Sequence, residues 1–177
     1  SPLAIKLTDV YKKYSKYFDA EAQHAGGRDG SIFDFPGLRK TLTTEESKQI
    51  NDVHPPKVII AGSGMSVGGR IPAHEKKLLP DPDTTLLITG YQSFGTLGRT
   101  LLEGAKNVTI HGEPVQVRAK VKSIEGFSAH RDTDGLLSFV ETGAETLEQV
   151  FAVHGEPKSC LFLVQRLRDY LGLKAVA

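Results

Sequence analysis

Short apolar runs alternate with glycine-punctuated helical stretches in this chain, and that alternation constrains the fold more than any other feature. Residues 57–61, Lys-Val-Ile-Ile-Ala, are a continuous apolar run after Pro55-Pro56. A loop rich in small residues spans 62–70, and a helical pattern with Pro72 in its first turn continues to Leu79. Residues 84–89 read as a second strand, Gly95-Thr96 opens a helix through Leu102, and residues 107–111 read as a third strand. Strands separated by a helix cannot form a tight hairpin, so they lie parallel, joined by right-handed crossovers. The expected class is α/β, a parallel sheet flanked by helices. Residues 115–124 alternate after a Gly112-Glu113-Pro114 turn and suggest an antiparallel hairpin with the preceding run.

The flanking segments carry helix signals. Leu3, Leu7, Val10, Tyr14 and Tyr17/Phe18 recur at helical spacing and predict one amphipathic helix over 3–23, opened by Ser1-Pro2 and stopped at His24 and Gly26-Gly27-Arg28-Asp29-Gly30. Phe33, Phe35 and Leu38 form an apolar connector, and Thr43-Thr44-Glu45-Glu46 reads as a capping box for a short helix to Asp52. Beyond the sheet, Asp132 is placed to cap a helix through Val140, residues 150–153 read as a strand, and a last helix over 157–170 puts Leu161, Val164, Leu167 and Leu171 on one face with Gly172 as its stop.

Composition sets outer limits. A chain of 177 residues, 39% hydrophobic and 24% charged, is one large soluble domain or two small ones. Net charge is +1, so nucleic-acid binding has to come from a local patch. Cys160 is the one cysteine; it reads as an inert core thiol and suits a reducing, cytoplasmic setting. No apolar run approaches the length of a membrane span. The chain starts Ser1-Pro2 without a methionine and reads as a piece of something longer.

Candidate chemistry gathers where strands hand over to helices, the edge at which open α/β sheets bind ligands. In Gly62-Ser63-Gly64-Met65-Ser66-Val67-Gly68-Gly69-Arg70, glycines let backbone N–H groups approach an anion, and Ser63, Ser66 and Arg70 add donors. The spacing is neither a Walker motif nor the dinucleotide fingerprint, and a loop glycine-rich merely to turn fits as well. Gly90-Tyr91-Gln92-Ser93-Phe94-Gly95-Thr96-Leu97-Gly98-Arg99 is a second such turn. Tyr91 or Phe94 can stack on a base and Arg99 can meet a phosphate; alternatively the rings plug the core, the reading preferred here, and Arg99 is a solvated helix residue. His130 in Gly126-Phe127-Ser128-Ala129-His130-Arg131-Asp132 and His154 in Val153-His154-Gly155-Glu156 carry the same punctuation, each after a strand and before a helix. Either can carry a proton near neutral pH or ligate a metal. Asp132 orients the ring or, as preferred here, caps the helix; Glu156 is placed to support His154. No other group of His, Cys or carboxylates has metal-ligand spacing.

These four motifs, in this order, resemble the β-CASP branch of the metallo-β-lactamase superfamily, whose RNA-processing members include ribonuclease J and the cleavage and polyadenylation endonuclease subunit. The resemblance spans essentially the whole chain. It implies a β-CASP domain over 1–122, then a returning βαβα segment of a metallo-β-lactamase fold over 123–177. It implies that His130 acts as general acid and that His154 ligates one of two zinc ions. It implies RNA phosphate contacts from Ser63, Gly64, Met65, Ser128 and Ala129, and the residues themselves add Gly68, Gly69, Arg70, Tyr91, Gln92 and Arg99 as RNA- or phosphate-binding candidates. Arg131 departs from the family's pattern, where a small residue is common. The His-x-His-x-Asp-His zinc motif has no counterpart in this sequence, so the chain alone is not expected to hold the zinc pair. The implied function is part of a zinc-dependent RNA hydrolase, endo- or exonucleolytic, whose partners are RNA, an N-terminal metallo-β-lactamase half and, as an open option, a second copy. The alternative is a non-catalytic RNA-binding or assembly module.

Overall fold

The computed structural model describes residues 1–25, 32–124, 126–128 and 130–177. The expected helix stop at 26–30 and the Ala129 contact lie outside the described residues. Two compact units are present, Ser1–Phe127 and Ser128–Ala177.

The first unit opens with α1 (Pro2–Lys13), a 3-10 turn at Ser15–Tyr17 and α2 (Ala20–Ala25). The single helix expected over 3–23 is therefore broken. Phe18 is extended (φ −69°, ψ 152°), and the Asp19 carboxylate accepts from Ala22 N at 2.8 Å, so a new helix start competes with continuation. No residue of α1 is buried. The aromatic connector reaches back to this segment, with the Phe33 ring 6.1 Å from Tyr11 and 6.2 Å from Phe18.

Helix α3 (Thr44–Gln49) has the full reciprocal cap: Glu46 N donates to Thr43 Oγ1 at 3.1 Å, and Thr43 N donates to Glu46 Oε2 at 3.2 Å. Residues 57–61 differ from expectation. They form no strand, and Val58 and Ile60 are 89% and 78% exposed. Among the described residues nothing pairs with their backbone, and a strand is defined by a partner rather than by its own apolarity.

Helix α4 (Ile71–Leu78), β1 (Thr85–Ile88), α5 (Leu97–Leu102) and β2 (Asn107–Ile110) follow in the expected order. Strand β2 turns through His111 and Gly112, both at positive φ, into β3 (Glu113–Gln116), giving an antiparallel pair with Val108 opposite Val115. The expected alternating arm then divides. Val117 N still bonds to Lys106 O, but the N–H groups of Arg118 and Ala119 both donate to the Leu79 carbonyl, at 2.8 and 2.9 Å. The chain thereby leaves β2 and enters β4 (Lys120–Ser123), which runs parallel to β1 with Leu86 opposite Val121. Leu79, Leu101, Val108, Ile110, Val115 and Val117 form the core.

In the second unit, α6 (Thr133–Glu141) is followed by β5 (Val150–Phe151), α7 (Pro157–Leu171) and β6 (Ala175–Val176). The Asp132 carboxylate accepts from Gly135 N at 2.9 Å, which makes it the cap of α6. Gly172 at φ +63° ends α7 and lets the chain return so that β6 lies parallel to β5. Val164 and Leu167 pack with Ala152 and Ala175, and Cys160 lies half-buried against them. Leu161, expected on the same face, is exposed. Among the described residues no helix is long and apolar enough to cross a membrane.

Candidate functional site

The loop at 62–70 is held in an unusual backbone shape. Ser63, Ser66 and Gly69 all have positive φ, at 69°, 58° and 67°. For glycine this is free; for a serine it costs on the order of 1 kcal/mol and persists only where the surroundings enforce it. Ser66 N closes a turn onto Ser63 O at 2.9 Å. Its hydroxyl donates to Glu75 Oε1 at 2.5 Å, reaching the helix that follows the loop. Glu75 is 3% exposed. Burial raises its carboxyl pKa above the ordinary value, opposed in part by the Ser66 hydrogen bond. Beside it, buried His74 meets Ser47 Oγ at 3.0 Å. Burial, then the positive charges of Arg70 and Lys57, lower the pKa of that imidazole.

The two glycine-rich loops lie together within the first unit. Gln92 is 2% exposed, and its amide nitrogen donates to Gly64 O at 2.8 Å, Gly90 O at 3.0 Å and Tyr91 O at 3.1 Å. Gly98 N donates to Met65 O at 3.0 Å. The contact depends on a glycine: a Cβ at position 98 would stand 1.8 Å from Gln92 Oε1. Consecutive carbonyl oxygens of the first loop are thus taken up by donors of the second. Carbonyl oxygens facing an anion repel it, and these two face donors instead.

Other candidates fall as follows. The Arg70 guanidinium donates to Thr41 O at 3.0 Å and Leu42 O at 2.8 Å, bracing the segment before α3. Arg99 pairs with Glu103 one turn on, at 2.6 Å, and reaches Gln92 O at 3.4 Å. Tyr91 and Phe94 are 61% and 83% exposed, which corrects the expectation that these rings plug the core. Gly64 and Gly68 are exposed or half-buried backbone, and a Cβ at Gly64 would meet nothing within 4 Å.

In the second unit His130 is exposed, just before the Asp132 cap, and its N–H donates to Ser128 Oγ at 3.2 Å. His154 is exposed at φ +67°, between β5 and α7, and Glu156 is the residue just before α7. Among the described residues no group of three or more His, Cys, Asp or Glu is placed to hold a metal. The described donors do not by themselves form a zinc site.

Sequence reasoning missed Glu75. The signal was present: Pro72, Glu75 and Leu79 recur at helical spacing, which puts Glu75 on the face of α4 that the core residue Leu79 shares. The positive φ of Ser63 and Ser66 had no signal, since serine does not announce it.

Comparison with known proteins gives a consistent picture. Residues 1–101 match a family model described as Beta-Casp domain. Residues 114–177 match one described as Zn-dependent metallo-hydrolase RNA specificity domain. The chain is 37% identical over 163 residues to "Ribonuclease TTHA0252" of Thermus thermophilus, covering 92% of this chain and 37% of that protein. It is 37% identical over 178 residues to "Transcription termination factor FttA" of Pyrococcus abyssi, covering 97% and 28%. It is 35% identical over 152 residues to "RNase J-like protein" of Methanocaldococcus jannaschii, covering 86% and 34%. The chain spans about a third of the length of these relatives.

Proposed function

The chain belongs to the β-CASP metallo-β-lactamase family, a family of RNA-processing nucleases, and on that premise we propose that it is part of a zinc-dependent ribonuclease hydrolysing RNA phosphodiester bonds. The single observation that carries the reading is the 37% identity to a protein named as a ribonuclease over 92% of this chain. The glycine-rich loops contribute the face that meets RNA phosphates, with exposed Tyr91 available to stack on a base. His130 donates a proton to the leaving oxygen. Its exposure leaves the ring accessible to a phosphodiester, and the capped start of α6 fixes the backbone beside it. His154 contributes one zinc ligand, and the other ligands come from the remaining two thirds of a protein as long as its relatives. Zinc held by a completed ligand set would supply activation of the attacking water. The protein works in the cytoplasm, with RNA and the metallo-β-lactamase half as partners and self-association as a further option.

A second reading, a non-catalytic RNA-binding or assembly module, is supported by a relative whose name gives a termination factor rather than a ribonuclease, 37% identical over 97% of this chain. One experiment separates the two. In the full-length protein His130→Ala is expected to lower RNA turnover by roughly a hundredfold or more with zinc content kept. His154→Ala is expected to lose zinc together with activity. Zinc per protein is read by mass spectrometry and turnover on labelled RNA. Full-length parent protein that binds RNA without cutting it would leave only the second reading. Equal zinc contents in the two variants would overturn the division of roles.

A further inference from the structure

The loop at 62–70 holds two serines at positive φ, and that strain needs an external cause. Two buried side chains supply it, one from α4 and one from the second loop. Glu75 reaches from α4 to accept the Ser66 hydroxyl, and Gln92 reaches from the second loop to bind the Gly64 carbonyl. We infer that Glu75 and Gln92 are positioning residues for RNA binding, which hold the 62–70 loop in the backbone shape it presents to the phosphate chain. The inference rests on the reading that this loop meets RNA, and it gives the two side chains a role that requires no contact with the ligand.

The geometry supports this in three ways. Both side chains are buried, so their bonds are shielded from competing water and their loss leaves unpaired polar groups. Gly64 and Met65 give up their carbonyl oxygens to Gln92 and Gly98, which removes repulsive dipoles from the face offered to an anion. Gly98 has no room for a side chain beside Gln92, so the amide is wedged in one place. Burial also favours the neutral carboxyl of Glu75. The bond from Ser66 needs an acceptor oxygen, which a glutamine amide also provides.

The test uses the full-length protein and a labelled single-stranded RNA, with KM and kcat measured separately and melting temperature as a folding control. Ser66→Ala removes the bond by deleting one oxygen, and Glu75→Leu removes it from the other side. Each is expected to raise KM by about tenfold, the loss of one buried hydrogen bond, with kcat kept. Glu75→Gln is expected to return KM to within about twofold of the parent, since the acceptor is restored. Gly64→Val tests the underlying reading, because a Cβ at that position meets nothing of the protein within 4 Å and the added bulk lies on the face offered to a ligand. A KM unchanged in Gly64→Val would sink the loop reading itself. A raised KM in Gly64→Val with unchanged KM in both Ser66→Ala and Glu75→Leu would overturn the positioning role alone. A Glu75→Gln variant as impaired as Glu75→Leu, or variants that lose kcat at constant KM, would also overturn it.

Discussion

At Gly98 an added Cβ would stand 1.8 Å from Gln92 Oε1 and 3.1 Å from the Met65 carbonyl carbon. The amide cannot yield without giving up bonds to Gly64, Gly90 and Tyr91. Gly98→Ala is therefore expected to cost about 1–3 kcal/mol, as overpacking does, and a urea titration reads it as a lower midpoint at unchanged slope. Combined with Gln92→Ala the cost should be clearly less than additive, because the second change removes the obstacle. Residues of this kind were only half legible. Glycine at position 98 was visible in the second loop, but its partner could not be named until two segments some thirty residues apart met.

Local helix signals were legible at the scale of elements because they are written within a few residues. Thr43 with Glu46, Asp132 with Gly135 and Gly172 after α7 each close a bond over a short sequence distance. Elements that need a distant partner were read less well. Residues 57–61 have strand composition without a strand, and the alternating stretch after Pro114 serves two different neighbours, β2 and β1. The candidate site shares this division: its loops were found from glycine spacing, whereas the buried Glu75 carboxyl under them was found only by packing. Asp132 offers a measurement at this scale. Asp132→Ala is expected to lower stability by about 1 kcal/mol, and Asp132→Asn to restore most of it, since an amide oxygen also caps. Thermal melts of the two variants check the order. An Asn variant as unstable as the Ala variant would mean that charge, not capping, is what α6 requires.

For the molecule as a whole, Glu75 and His74 set opposing limits on stability with pH. Burial raises the Glu75 pKa above the ordinary carboxyl value of 4.5. Its contribution is complete below about that pH and is lost as pH rises through the folded value, because the unfolded chain ionises first. The His74 pKa is lowered below 6.5. Its contribution is complete above that pH and is lost as pH falls through the folded value, because the unfolded chain takes up the proton first. Glu75→Gln abolishes the first slope, so its melting temperature is expected to gain on the parent as pH rises from about 4.5 to neutral. A difference that stays constant over that range would show that the carboxyl titrates alike in both states. The exposed segment at 57–61 has a different consequence. Among the described residues its backbone has no partner, its Val58 and Ile60 side chains are exposed and it carries one charge at Lys57, so it is a template for another extended chain. In concentrated solutions of the isolated chain such a template favours cross-β stacking of identical copies, so the run of residues that first disclosed the fold is also where fibril growth would start.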